Sequence, residues 1–431
     1  MSEREPLLEH ILKDYDESLN LHGVDGRRLA YRLNELAKIS LTKENGSNRP
    51  GFSQGELAAK KLIFQWMEEV GLQVYQDGAG NVIGRLEGSD SALPTIMSGS
   101  HVDSVPNGGH FDGTLGVLTA LEVVEAWKST GYKPCKSYEV LIFSDEEGAR
   151  FNGGFLGSQA LVGNYEIEEL KKLVSIDNLS FEEVLADVGL SVDSYQTALR
   201  DFSNVELFIE VHIEQGKQLE RAGLPCGIVS GIAGPCWLEM TFIGIAGHAG
   251  NTPMKDRNDA LVAASEFISK VSQLPGEIND TAVATVGKMN ISPNGVNVIP
   301  GEVKLYVDIR DINEETRNKL VDCIIQEAER ISKKHQVSLS YAKTMETDPV
   351  PIKEEKQLLL EEVLKEQGIE PMRLPSGAGH DAMIIGGKTD IAMIFVKSIN
   401  GISHNPLEWS NLNDCIQTVH VLKRFIEKLN E

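Results

Sequence analysis

Three short apolar runs each lead into a cluster of histidine and carboxylate residues. "PTIM" passes through Ser-Gly-Ser to His101 and Asp103, "YEVLIFS" ends at Asp145-Glu146-Glu147, and "VELFIEV" ends at His212. Between the first two lies "GVLTALEVVEAWKS", whose apolar spacing is helical. Strands alternating with helices predict an α/β sheet, and in open α/β sheets ligands gather beyond the carboxyl ends of the strands. The chain is therefore expected to be an α/β protein with its chemistry along one edge of a sheet.

The pattern changes near Gly231. "SGIAGP" reads as a flexible connection into a strand at 237–243, a helix at 258–274, strands at 282–288 and 302–309, a helix at 314–334 and a strand at 337–342. That β-α-β-β-α-β order is the split ferredoxin-like arrangement. "TMETDPVPIKEEKQ" reads as a linker, after which "DIAMIFVKS" supplies another buried strand before "INGISHNP". The expected organisation is a catalytic domain, 1–230 and 346–431, interrupted by an inserted domain, 231–345. Upstream, "ELAAKKLIFQWMEEV" spaces Leu62, Ile63, Trp66, Met67 and Val70 helically, and Gly71 supplies the stop.

Bulk properties narrow the function. The 431 residues carry 41 basic and 64 acidic side chains, a formal charge of -23, which repels nucleic acid and anionic membranes. Five scattered cysteines without a C-x-x-C pair do not suggest a disulfide framework. The acidic N-terminal stretch lacks the basic-then-apolar order of a signal peptide, and no run approaches eighteen uncharged apolar residues. A cytoplasmic enzyme with a small-molecule substrate is the expectation.

Most of the ten histidines need no ligand role, so company must select among them. His101 follows a strand, Asp103 lies two residues on, and Asp112 stands in the glycine-rich turn of "GSHVDSVPNGGHFDGTLG". Glu146 and Glu147, adjacent on an extended segment, point to opposite sides, so one can hold a metal while the other faces a substrate water. An isolated Glu-Glu in so acidic a chain also reads as a solvated turn; the company of His101, Asp112, His212 and His404 favours the metal reading. Imidazoles and carboxylates without thiolate suit zinc, manganese, cobalt or nickel. Two divalent ions about 3.5–4 Å apart can share one carboxylate, for which Asp112 is the candidate.

"GSHVDSVPNGGHFDGTLG", "SDEEGARF", "EVHIEQG", "IAGHAGNTPM", "NVIPGEV", "PSGAGHDA" and "NGISHNPLEWS" together resemble the amidase/carbamoylase branch of the M20 metallopeptidase family, from about Val24 to Leu422. The resemblance implies a dimetal catalytic domain of the phosphorylase/hydrolase-like fold, with an inserted ferredoxin-like α+β lid and dimerisation domain. It implies two divalent ions per subunit, one on His101, Asp112 and His212, the other on Asp112, Glu147 and His404. Glu146 would be the general base and Asp103 would orient His101. His248 would stabilise the oxyanion, and His248 and Asn297 would reach a neighbouring subunit's site in a homodimer. Arg310 would grip the substrate carboxylate, although its flanking Asp308 and Asp311 also fit a plain salt bridge. Gln215 and the turn Gly377, Ala378, Gly379 are further substrate candidates, since glycines let backbone N–H groups approach an anion.

The implied activity is hydrolysis of ureido compounds: N-carbamoyl-L-amino acids first, with allantoate or 3-ureidopropionate as alternatives. A catalytically inactive ligand-binding dimer on the same fold would show a missing ligand or base, and none is missing. A dinucleotide enzyme would need G-x-G-x-x-G between strand and helix, and no such run follows a strand. His110 is expected to play a minor part and His380, beside Asp381, to order a substrate loop. His10, His22, His335 and His420 read as surface residues.

Overall fold

A computed structural model describes residues 7–431 and divides them into two units. The first six residues of the acidic N-terminal stretch lie outside the described residues. The first unit comprises residues up to Val229, Ile352–Leu374 and His380–Glu431; the second comprises Ser230–Pro351 and Pro375–Gly379.

Four parallel strands form the centre of the first unit: Thr95–His101 (β1), Tyr138–Phe143 (β2), Val205–Ile213 (β3) and Asp390–Val396 (β4). Their order across the sheet is β2-β1-β3-β4. Three of them are rich in β-branched and aromatic residues, β1 carries the small Ser98, Gly99 and Ser100 instead, and all four are buried almost throughout, the pattern of a parallel sheet covered on both faces. Antiparallel Val82–Leu86 extends the β2 edge, and Cys226–Ile228 pairs antiparallel beside β4.

Register brings the chemistry into line. His101 is opposite Phe143 and His212 is opposite Phe395, so the ends of all four strands fall at one edge. Helix α1, Thr114–Thr130, packs on β1 and β3 and against the C-terminal helix α2, Leu412–Leu429. It ends at Gly131 in the left-handed conformation, as a helix stop requires. The helix expected around 56–70 spans Gln54–Glu69, with Gly71 at φ +88° beyond it.

The second unit is a four-stranded antiparallel sheet in the order Ser338–Glu346, Gly234–Ile243, Glu302–Asp311, Val283–Ser292, with the helices Ala260–Val271 and Glu314–His335 packed on it. Alternation is visible in Gly234–Ile243: Cys236, Leu238, Met240 and Phe242 are buried under the helices, while Trp237 and Ile243 face outward. This is the strand order of a ferredoxin-like unit.

Two details differ from the sequence reading. Ser230–Pro235 is not a flexible connection: Gly231 and Ile232 pair with Pro351 and Val350, and Gly234 and Pro235 pair with Asp311 and Arg310. Glycines that look mobile in sequence serve here as close-packed strand residues. The same pairing keeps residues 346–351 with the second unit, beyond the expected boundary at 345, and the short segment Pro375–Gly379 also belongs to it.

Candidate dimetal site

The strand ends of the first unit deliver two sets of ligand atoms. His101, Asp112 and His212 form one set, and Asp112, Glu147 and His404 the other; within each, all ligand atoms lie within 4.8 Å of one another. Asp112 faces both: its Oδ1 is 3.0 Å from His212 Nε2 and 3.8 Å from His101 Nε2, and its Oδ2 is 3.4 Å from His404 Nε2. Glu147 Oε2 lies 3.3 Å from the same His404 nitrogen. His101, Asp112 and His212 are buried, whereas the His404 side chain is 52% exposed.

Local sequence accounts for this convergence. Asp112 is followed by Gly113 at φ +58°, and a Cβ there would sit 2.3 Å from His101 Nε2. Only glycine lets the turn fold the aspartate back beside the histidine. Asp103 then ties two strand ends together. Its backbone carbonyl accepts from His101 Nδ1 at 3.1 Å, while its carboxylate accepts the N–H groups of Glu146 and Glu147, each at 3.1 Å.

The hydrogen bonding fits divalent cations. His101 donates from Nδ1 to the Asp103 carbonyl, and His212 donates from Nδ1 to the Ile213 carbonyl at 3.0 Å. With Nδ1 engaged, each ring turns Nε2 inward, and His101 Nε2 is a buried atom with no hydrogen-bond partner. At His212, Nε2 faces a carboxylate oxygen at 3.0 Å, a pair that a proton or a metal ion satisfies; burial works against charge on these rings, but the surrounding carboxylates hold both His101 and His212 above the ordinary histidine value. Nitrogen and oxygen donors without thiolate complete a set suited to two such ions.

Electrostatics separate the two adjacent glutamates from ordinary carboxylates. Burial pushes Glu146 well above the usual range; His101 opposes this and Glu147 reinforces it. Glu147 is likewise raised by burial and by the charge of Asp112. Asp112 runs the other way: burial works against its charge, but His212, His101 and His404 together hold it below the ordinary aspartate value. Glu146 Oε2 stands 3.6 Å from His101 Nε2, beside the ligands without belonging to either set.

Gln215, a substrate candidate, is turned onto the ligands themselves. Its amide donates to Asp112 Oδ2 at 3.0 Å and to Ser403 Oγ at 3.1 Å. Two residues that sequence reasoning missed join it: Ser403 Oγ lies 2.9 Å from Asp112 Oδ2 and 3.0 Å from Glu408 Oε2. The motif "NGISHNPLEWS" contains both, but nothing in its spacing singled them out.

The remaining candidates are in the second unit. His248 pairs with Val298 in a two-residue strand contact, which sets it beside Asn297, whose carbonyl accepts the Ala249 N–H at 3.0 Å. The N–H groups of Gly250 and Asn251 donate to His248 Nδ1, so the neutral ring carries its proton on Nε2 and can donate there. Arg310 donates to both Asp308 oxygens, at 2.9 and 2.8 Å, and to the Gly377 carbonyl at 2.7 Å. The arginine and the Gly377, Ala378, Gly379 turn, 67 residues apart in sequence, are thus one assembly.

Other histidines take structural places. His110 Nε2 lies 2.8 Å from the Asn45 carbonyl. His380 is buried with its ring centroid 4.4 Å from that of His212, and burial holds its pKa well below the ordinary value. His420 is not a surface residue: it is buried on α2 and bonds the Leu19 carbonyl at 2.8 Å. His335 is only half-buried and pairs with Glu266 at 2.7 Å.

Comparison with known proteins gives the family. The profile of peptidase family M20/M25/M40 matches residues 97–428. An N-carbamoyl-L-amino acid amidohydrolase of Geobacillus stearothermophilus is 41% identical over 406 residues, 94% of this chain and 99% of that protein. Another from Pseudomonas sp. (strain NS671) is 40% identical over 94% of this chain and 98% of its own length. An allantoate amidohydrolase of Bacillus subtilis (strain 168) is 33% identical over 91% of this chain and 95% of its own. Among solved structures, an amidase of the hydantoinase/carbamoylase family from Burkholderia multivorans superposes with a TM-score of 0.88 at 32% identity, covering 94% of this chain and 98% of that one. The chain belongs to peptidase family M20/M25/M40, within the amidohydrolase branch that these relatives represent.

Proposed function

We propose that the protein hydrolyses N-carbamoyl-L-amino acids to the free amino acid, ammonia and carbon dioxide. The observation that carries this reading is the pair of three-residue ligand sets sharing Asp112, with the raised-pKa Glu146 beside them and outside both. The names of the relatives above 40% identity or at it support the choice of substrate.

His101, Asp112 and His212 would hold one divalent ion, zinc, manganese, cobalt or nickel, and Asp112, Glu147 and His404 a second. When bound, such ions acidify water and polarise a ureido carbonyl. Glu146 takes a proton from the attacking water and later delivers it to the leaving nitrogen; a carboxyl raised by burial can do both. Asp103 keeps His101 in the tautomer that leaves Nε2 available and fixes the backbone of Glu146. His248 donates from Nε2 to the developing oxyanion, Asn297 supports the same end of the substrate, and Arg310 with the Gly377–Gly379 turn binds the substrate carboxylate.

The reading includes a homodimer in the cytoplasm in which His248 and Asn297 serve a neighbouring subunit. Ile245, Met254 and Val296, near His248 and Asn297 in sequence, are large apolar side chains left exposed and suit burial in such a contact. No helix among the described residues is long and apolar enough to cross a membrane.

Allantoate is the second reading, favoured by the Bacillus subtilis relative. Ammonia release from a panel of N-carbamoyl-L-amino acids, allantoate and 3-ureidopropionate, with each metal supplied in turn, decides between them. The highest kcat/KM is expected on an N-carbamoyl-L-amino acid; activity on allantoate alone would replace the first reading with the second.

A further inference from the structure

The loop that carries His404 is fastened by a side chain to which the mechanism gives no part. Glu408, 3% exposed, accepts the backbone N–H of Phe111 at 2.9 Å and of Asp112 at 3.0 Å through a single oxygen, Oε1. Its other oxygen lies 3.0 Å from the hydroxyl of Ser403, the residue before His404. One carboxylate therefore grips the two loops that supply the shared ligand and the most exposed ligand.

The sequence on both sides is fitted to this grip. Gly109 lies so close that a Cβ would stand 2.0 Å from Glu408 Oε1, so the glycine makes room for the carboxylate. Trp409 packs edge-on against Phe111 with ring centroids 5.3 Å apart, adding an apolar contact beside the polar one. His404 needs such support. It sits at φ +54° on a loop, half exposed, whereas His101 and His212 lie on β1 and β3 and are fixed by the sheet.

Two buried N–H groups bonded to one oxygen fasten a loop firmly, and losing that acceptor leaves two donors unpaired. We propose that Glu408 is a positioning residue that clamps the His404 loop to Asp112 and thereby sets the affinity of the Asp112/Glu147/His404 site, with a much smaller effect at His101/Asp112/His212. The proposal rests on the dimetal reading above.

Zinc titration of the metal-free full-length protein by calorimetry tests it. The wild type is expected to bind two ions. Glu408→Ala should bind the first with nearly unchanged affinity and the second about 10–100-fold more weakly, the range for supporting residues around metal ligands. Glu408→Gln keeps an oxygen that can accept both N–H groups and should recover most of the loss. Unchanged affinity for the second ion in Glu408→Ala, or equal weakening of both, overturns the clamp. If Glu408→Ala does not fold, Ser403→Ala removes the hydroxyl's contacts with both Glu408 and Asp112 without orphaning the two N–H groups; it should weaken the second ion more than the first, and unchanged binding or equal weakening of both overturns the proposal. A wild type that binds no zinc instead overturns the dimetal reading itself.

Discussion

Arg310 and Asp308 form a paired contact, with Nε and Nη2 of the guanidinium donating to the two carboxylate oxygens at 2.9 and 2.8 Å. The arginine proposed to receive a substrate carboxylate is therefore already oriented by one, and its remaining arm, Nη1, reaches the Gly377 carbonyl. Side-chain rigidity of this kind lowers the ordering cost when a substrate arrives. Arg310→Ala should raise KM for N-carbamoyl-L-amino acids about 10- to 100-fold, the equivalent of about 1.5–3 kcal/mol for a charge-assisted hydrogen bond, with a smaller change in kcat. Steady-state kinetics on a carboxylate substrate and on its amide check this; equal losses on both would remove the carboxylate role.

Glu146 stands near both ligand sets without joining either. Glu146→Gln preserves shape and removes only the proton acceptor. The variant should retain its metal content, measured by atomic emission, while kcat falls about 10²–10⁴-fold, the usual worth of a general base. A variant that loses metal along with activity would make Glu146 a ligand instead.

How much of this was legible in sequence depends on distance along the chain. His101, Glu146, Glu147 and His212 stand at strand ends, where a short apolar run announces the strand and the polar residue after it announces the edge. Ser403 and Glu408 gave no such signal. The Glu408 contact with Asp112 spans 296 positions, and a glutamate is unremarked among 64 acidic residues. The glycines of 230–235 misled for the opposite reason: a local rule assigned mobility, and pairing with Asp311 and Pro351 overrode it. His420 shows the same limit, since its burial follows from α2 packing near Leu19, 401 positions away.

Glu266 gives a stability prediction in the second unit that is independent of catalysis. Hydrogen bonds from Lys334, at 2.7 Å, and from His335 lower its pKa to about 2. In the unfolded chain a glutamate titrates near about 4.3. The folded value is the lower one, so the stabilisation is present above the unfolded pKa and is lost as pH falls toward the folded one. Glu266→Gln should be less stable than wild type by a constant margin from pH 7 to about 5, and the margin should narrow below that. Urea unfolding of both proteins between pH 7 and 3 measures it, and a margin that widens in acid contradicts the assignment.

Removal of the metals should weaken the fold as well as abolish turnover. His212 Nε2 faces Asp112 Oδ1 at 3.0 Å, His101 Nε2 faces oxygens of Asp112 and Glu146 at 3.8 and 3.6 Å, and Glu147 adds a further carboxylate, so negative charge is concentrated at these ligands. Cations that bind only the folded chain relieve this and add stability by mass action, about 2.7 kcal/mol per site at a hundred times the dissociation constant. Protein stripped with a chelator should therefore melt at a lower temperature and be inactive, and zinc, manganese, cobalt or nickel should restore both properties. His212→Ala, which removes one ligand from one set, should show a smaller upward shift in Tm on adding metal than the wild type does. Scanning calorimetry in parallel with the ammonia assay checks both statements; stripped protein with unchanged Tm and full activity would show that the two ligand sets hold nothing the enzyme needs.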